Sequence, residues 1–170
     1  MAAPSSESQF VTFSLGDEIF AVPVEVVREI LDHEDPFRIP HGPDYLLGLR
    51  DVRGQGVPVI DLRLRLGMAR TVKTPHTRIL VLDVPVADRV LALGLVADRV
   101  FEVVPFRKEQ IENAPDIGIR WRSDYIAGVV RRDVGFVVII DLARLFSDSG
   151  SALAHMGAGS MGTGITAAVA

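Results

Sequence analysis

The chain has 170 residues, 48% of them hydrophobic, with 22 acidic against 18 basic side chains and a net charge of −4. That apolar content supports a sizeable core, and the acidic balance leaves no electrostatic footprint for nucleic acid. Cysteine is absent, which excludes disulfide frameworks, thiolate metal sites and cysteine nucleophiles and fits a reducing compartment. No run approaches the roughly 20 apolar residues that a bilayer span needs, and the start lacks the basic and apolar regions of a signal peptide. The expectation is a cytoplasmic protein with no direct membrane insertion.

In chain order, residues 1–8 are small and polar and read as a disordered start. Phe10 to Leu15 and Ile19 to Val22 are β-branched or aromatic runs around Gly16-Asp17-Glu18, a hairpin signal. Val24, Val27 and Ile30 stand three apart, as a helical turn running into a strand would place them. Pro36, Pro40 and Pro43 then predict an irregular connection. Leu46 to Arg53 and Val57 to Ile60, separated by Gly54 and Gly56, read as a second hairpin. Asp61 closes that strand and opens Leu62 to Gly67, where its carboxylate suits the free N–H groups of a helical turn.

Arg78 to Asp83 and Val90 to Val96 predict a further hairpin, with a connection about four residues longer than the first. Glu109 and Glu112 beside Lys108 read as one solvated helical turn, and Trp121 as a packing anchor. Asp141 opens Leu142 to Phe146 as Asp61 opens its own turn. From Ser147 onward the chain is mostly Gly, Ala, Ser and Met, so 148–170 reads as a flexible tail. Many short strands, frequent Gly and Pro, and no long amphipathic helix point to an all-β protein.

The chain also contains itself twice. Tyr45, Gly48, Asp61 and Leu62 recur 80 residues later as Tyr125, Gly128, Asp141 and Leu142. Phe20 to Glu25 and Val27-x-Glu29-Ile30 align, 73 residues on, with Leu93 to Asp98 and Val100-x-Glu102-Val103. Shared features of a repeat are architecture, so function belongs where the copies differ. The expected subdomains run over about 16–75 and 76–147, with the N-terminal strand shared. The informative difference lies in Leu49 to Gly56, where Arg50 is replaced by Val130 and Arg53 by Asp133. A guanidinium at a hairpin tip offers a planar fork of donors to a partner's oxygens; its plainer reading is a solvated turn arginine.

Other motifs carry no chemistry. Asp61, Asp83 and Asp141 end apolar runs as magnesium-binding strands do, but no G-x-x-x-x-G-K-[ST] loop accompanies them, and the only lysines, Lys73 and Lys108, follow no glycine. Gly157-Ala-Gly159-Ser-Met-Gly162 spells a dinucleotide fingerprint with neither strand before it nor helix after it. His33, His41, His76 and His155 have no helical metal spacing, and no serine sits in a nucleophile elbow. We expect no catalytic residue, no metal and no cofactor.

Four segments in order nevertheless resemble a known family. Phe13 to Glu18 with Phe20 to Ile30, Gly48 to Gly54 running into Val57 to Arg63, Leu93 to Val100, and Tyr125 to Val129 with Ile139 to Leu142 resemble CheW, the chemotaxis coupling protein. The resemblance covers about residues 9–147, read as one domain. It implies two SH3-like five-stranded β-barrel subdomains packed side by side with short helical segments. It also implies a scaffold and not an enzyme, one that couples the cytoplasmic tips of chemoreceptors to the regulatory domain of the histidine kinase CheA at the inner face of the membrane. A groove between the barrels would receive the receptor's helical hairpin. Carried over by position, Val27, Glu29, Gly48, Arg53 and Gly54 become expected partner-binding residues. The chain departs from the family pattern with Asp51-Val52, where Asn-Leu is usual, and with an extra glycine at 56. The alternatives are an adaptor of another chemosensory system, such as one for pilus-based motility, or a small ligand-binding β-protein.

Overall fold

The computed structural model describes residues 7–70, 72–113, 125–133 and 135–147. Strands β1 (Glu7–Leu15) and β2 (Glu18–Pro23) form the first hairpin, followed by a single 3-10 turn over Val24–Val26 and strand β3 (Val27–Asp32). The three-residue spacing of Val24, Val27 and Ile30 therefore marks a turn feeding a strand, as expected. After the proline-rich connection come β4 (Leu46–Val52), β5 (Gln55–Ile60) and a one-turn helix α1 (Leu62–Arg65). The second copy supplies β6 (Arg78–Val86), β7 (Arg89–Ala97), β8 (Arg99–Arg107), a 3-10 turn over Lys108–Gln110 and β9 (Ile111–Glu112). It ends with β10 (Ile126–Arg132), β11 (Gly135–Ile140) and α2 (Leu142–Leu145). Trp121 and the tail over 148–170 lie outside the described residues.

The sheets cut across the expected division at 75/76. One sheet runs β8-β1-β2-β11-β10-β9 and the other β3-β6-β7-β5-β4. Each repeat's opening hairpin is thus built into the lobe formed by the other repeat: β1–β2 sits between β8 and β11, and β6–β7 between β3 and β5. The two lobes have matching order, including one parallel junction each, β11 on β2 and β5 on β7. Both lobes are the expected barrel type, but the first has six strands because β9 adds a two-residue pairing with β10. Its counterpart in the second lobe is the single bridge Phe37–Leu49.

Two further expectations change. β1 begins at Glu7, since Glu7 and Ser8 pair with Arg107 and Phe106 of β8, so these two residues belong to a strand and not to the disordered start. The second hairpin's connection is no longer than the first. Strand pairing continues through Val86 and Arg89, leaving only Ala87-Asp88 between strands. Pro85 is accommodated within the strand because β3 stops pairing with β6 at Leu82. Beyond that point β6 is flanked on one side only, where proline is tolerated. Asp83 accordingly lies inside β6 and not at its end. Glu112 likewise belongs to β9 and not to the helical turn it was grouped with.

Three apolar clusters explain why the hairpins carry unbroken hydrophobic runs. In β6, Ile79 and Val81 join Val52, Val57, Val59 and Val96 inside one lobe, while Leu80, Leu82 and Val84 face the other way. Those residues meet Val11, Phe13, Leu15, Phe20 and Val22 of the first hairpin in the central cluster between lobes. Phe10, Ala21, Val104, Phe106, Val130, Val137 and Ile139 fill the remaining lobe. Alternate residues of one strand therefore serve two different cores, so both faces of these strands carry mostly apolar side chains. Phe13 and Phe20 stack at the centre with ring centroids 6.1 Å apart. Full burial of each such side chain stabilises by about 1.5–3 kcal/mol.

Candidate functional site

The β4–β5 hairpin closes with Arg53 and Gly54, whose φ values of 54° and 84° are both positive. That is the requirement of a two-residue type I′ turn, and it explains the glycine. Asp51 steadies the turn, its Oδ1 accepting from the Gly54 N–H at 2.8 Å. The turn holds Arg53 at the lobe's end, with its side chain 81% exposed. Arg53 Nε donates to Glu29 Oε2 at 3.1 Å, so the structure brings two expected partner-binding residues together across the two outer strands of one sheet. Neighbouring side chains close the same gap. Arg28 pairs with Asp83 and donates to Gln55 Oε1 at 3.2 Å, and the Asp83 carboxylate raises the Arg28 pKa further above its usual value. Arg50 donates to the Asp32 carbonyl at 2.6 Å.

The other expected residues have more internal roles. Val27 is half-buried against the central cluster. Gly48, at φ 149°, leaves room for backbone: a Cβ there would stand 2.0 Å from the Phe37 carbonyl oxygen. Phe37 and Leu49 exchange both backbone hydrogen bonds at this approach, at 2.7 and 2.8 Å. Gly128, at the matching position, leaves room for β9, a Cβ there meeting the Ile111 side chain at Cγ2, 2.4 Å away, and the Glu112 carbonyl oxygen at 3.2 Å. Gly48 is thus shared architecture. Arg50, unmatched in the second copy, is a staple with its side chain only 14% exposed. Of the five, the freely presented groups are Arg53 and Gly54.

A buried ionic cluster escaped the sequence reading. Arg63 is 6% exposed and grips Asp61 with two bonds, Nε to Oδ1 at 2.8 Å and Nη2 to Oδ2 at 2.9 Å. It also donates to Asp98 Oδ1 at 3.1 Å, and Asp98 Oδ2 accepts from the Gly16 N–H at 2.6 Å. The Asp61 hydrogen bonds hold the Arg63 pKa above its usual value. Asp61 Oδ1 also caps α1, accepting from the Arg63 N–H at 3.1 Å. Asp141 caps α2 in the expected way, accepting from the Arg144 N–H at 3.1 Å. The available signal was the mismatch of Arg63 with Ala143 at the 80-residue offset, alongside the match of Asp98 with Glu25 at 73.

Where α2 begins, the lobes part in an open cleft of about 390 Å³. Phe10, Pro23, Ile111, Ile139 and Leu142 line it from one lobe, and Val84 and Pro85 from the other. Among the described residues that line it, Asp141 is the one ionisable group in an otherwise apolar wall. Among the described residues no helix is long and apolar enough to cross a membrane.

Paired barrels with an apolar cleft and an arginine-tipped hairpin define a binding scaffold. The CheW-like domain family matches residues 9–150, and the chain belongs to the CheW family of chemotaxis adaptors, whose role is receptor–CheA coupling. Among relatives, a probable chemotaxis protein CheW of Rhizobium etli is 32% identical over 145 residues, covering 85% of this chain and 91% of the relative. Chemotaxis protein CheW of Treponema pallidum is 29% identical over 147 residues, 86% of each chain. The crystal structure of the scaffolding protein TtCheW from Thermoanaerobacter tengcongensis superposes with a TM-score of 0.74 at 28% identity, covering 88% of this chain and 92% of that one.

Proposed function

We propose that this adaptor uses two separate surfaces: the inter-lobe cleft seats the helical hairpin tip of a chemoreceptor, and the lobe end carrying Arg53, Gly54 and Glu29 docks on the CheA regulatory domain. The observation that carries the reading is the cleft itself, an apolar trough bounded by both lobes and suited to the apolar face of a helix. Arg53 contributes a planar donor fork on a rigid turn, pre-oriented by Glu29 and so cheap to order on binding. Val27, Glu29 and Gly48 act behind this surface by fixing the strand edges from which Arg53 projects. The protein works in the cytoplasm, at the inner face of the membrane, through its receptor partners. As a bridge it alters kinase activity only by binding one kinase conformation more tightly than another.

The test is binding of the purified chain to a chemoreceptor tip fragment and, separately, to a CheA regulatory domain, each with wild type and Arg53→Glu. The expected result is binding to both by wild type, and loss of kinase-domain affinity by about tenfold in the variant, the scale of losing one charged hydrogen bond. Thermal unfolding should change little, because an exposed ion pair contributes about 0.2–1 kcal/mol. Absence of both interactions in wild type sinks the coupling role of these surfaces. Unfolding of the variant would make Arg53 a structural residue.

A further inference from the structure

The cleft occupies, in one lobe, the position that Arg63 fills in the other. In the filled lobe three pieces converge: the start of α1 with Asp61 and Arg63, Asp98 just after β7, and the β1–β2 turn through Gly16. In the open lobe the equivalent pieces line the cleft: the start of α2 with Asp141 and Ala143, Pro23 and Val26 around the end of β2, and Val84 and Pro85 near the β6–β7 turn. Glu25, flanked by those lining residues, stands at the repeat position of Asp98. The acidic positions are kept in both copies, and the guanidinium is kept in only one.

We propose that the partner returns it: the cleft recognises an arginine carried on an otherwise apolar helix, which binds Asp141 as Arg63 binds Asp61. This rests on the cleft being the receptor-docking surface. The internal copy supplies the geometry, a two-bond grip of Nε and Nη2 on one carboxylate at 2.8 and 2.9 Å. Such a planar pairing favours arginine over lysine. Asp141 is open to receive it. Its side chain is 34% exposed against 2% for Asp61, and its own neighbour Arg144 stands off at 3.8 Å with a side chain 70% exposed. The apolar wall around Asp141 lowers the local dielectric, which strengthens a charge pair formed there and makes an uncharged occupant a poorer fit.

The probes are a chemoreceptor tip fragment and a copy of it with every arginine changed to glutamine. If wild type binds neither form, the docking reading fails before this proposal is reached. With wild type bound to the arginine-bearing tip, Asp141→Asn should weaken binding by about tenfold, the scale of one hydrogen bond to a charged group. Asparagine caps a helix as well as aspartate does, so α2 is retained. Toward the glutamine tip, wild type and Asp141→Asn should bind alike. Ala143→Arg, which installs the missing guanidinium internally, should abolish tip binding while leaving kinase-domain binding intact. Equal losses toward both tips, or no loss toward either, overturn the proposal, as does full tip affinity in folded Ala143→Arg. Should that variant fail to fold, the Asp141→Asn comparison decides alone.

Discussion

Replacing Arg63 by methionine removes one buried cation and leaves its two carboxylates in place. Methionine keeps the length and apolar stem, so the loss is electrostatic and not a cavity. Asp61, 2% exposed, forfeits two charged hydrogen bonds and Asp98 forfeits one. Breaking a buried pair from one side costs about 3–5 kcal/mol, because the remaining charge stays desolvated without its counterion. For a domain of this size that corresponds to a fall in Tm of about 10 °C. The assay is urea unfolding of wild type and Arg63→Met at pH 7. Arg63→Lys should recover part of the loss through a single point charge. A deficit below about 1 kcal/mol, the range of an exposed pair, would refute the assignment of this cluster as a buried clamp.

Gly48→Ala should cost more than Gly54→Ala, although both glycines have positive φ. The first Cβ would strike the Phe37 carbonyl oxygen at 2.0 Å, whereas the second meets nothing within 4 Å. Chemical unfolding should show a loss near 1 kcal/mol for Gly54→Ala, the cost of the left-handed backbone alone, and several times that for Gly48→Ala. Equal losses would mean that the Phe37–Leu49 approach carries no weight. His33 supplies a pH dependence: burial, with Lys73 adding to it, lowers its pKa below the usual 6.5. The unfolded chain then binds the proton more tightly, so this contribution is complete above pH 6.5 and fades as pH falls toward the folded-state value. A Tm series from pH 7.5 to 5 should slope less in His33→Gln than in wild type, and parallel curves would remove His33 as the cause.

What the sequence shows and hides follows from range. The hairpin at Gly16-Asp17, the caps at Asp61 and Asp141, and the turn after Pro23 are set by neighbours a few residues apart, and each is where local pattern places it. Apolar runs in β6 and β7 identify strands buried on both faces without saying which neighbours bury them. Because both repeats carry the same hairpin, either could complete either lobe on pattern alone, so the exchange is decided by packing and connection length. The longer connection expected after Asp83 was wrong because β6 continues through Pro85, which is tolerated where β3 no longer flanks the strand. At the candidate site, Arg53 was legible as an unmatched residue in a recognisable turn. Its partner Glu29 lies 24 residues away. The Arg63 cluster was hidden for a similar reason: Leu62 to Leu66 alternates leucine and arginine like a surface turn, and Asp98 joins from 35 residues on.

The exchange of hairpins also orders events on the ribosome. The lobe built on β3, β4 and β5 has no middle until residue 97 has emerged, and the first hairpin waits for β11, which ends at Ile140, before its own lobe is complete. Nascent chain shorter than this holds apolar strands with no finished sheet to join, and such long-range closure is slow. Translation therefore closes the lobes one after the other, the first only past residue 97 and the second only past Ile140, and a ribosome stalled before residue 97 would present a chain with neither lobe finished.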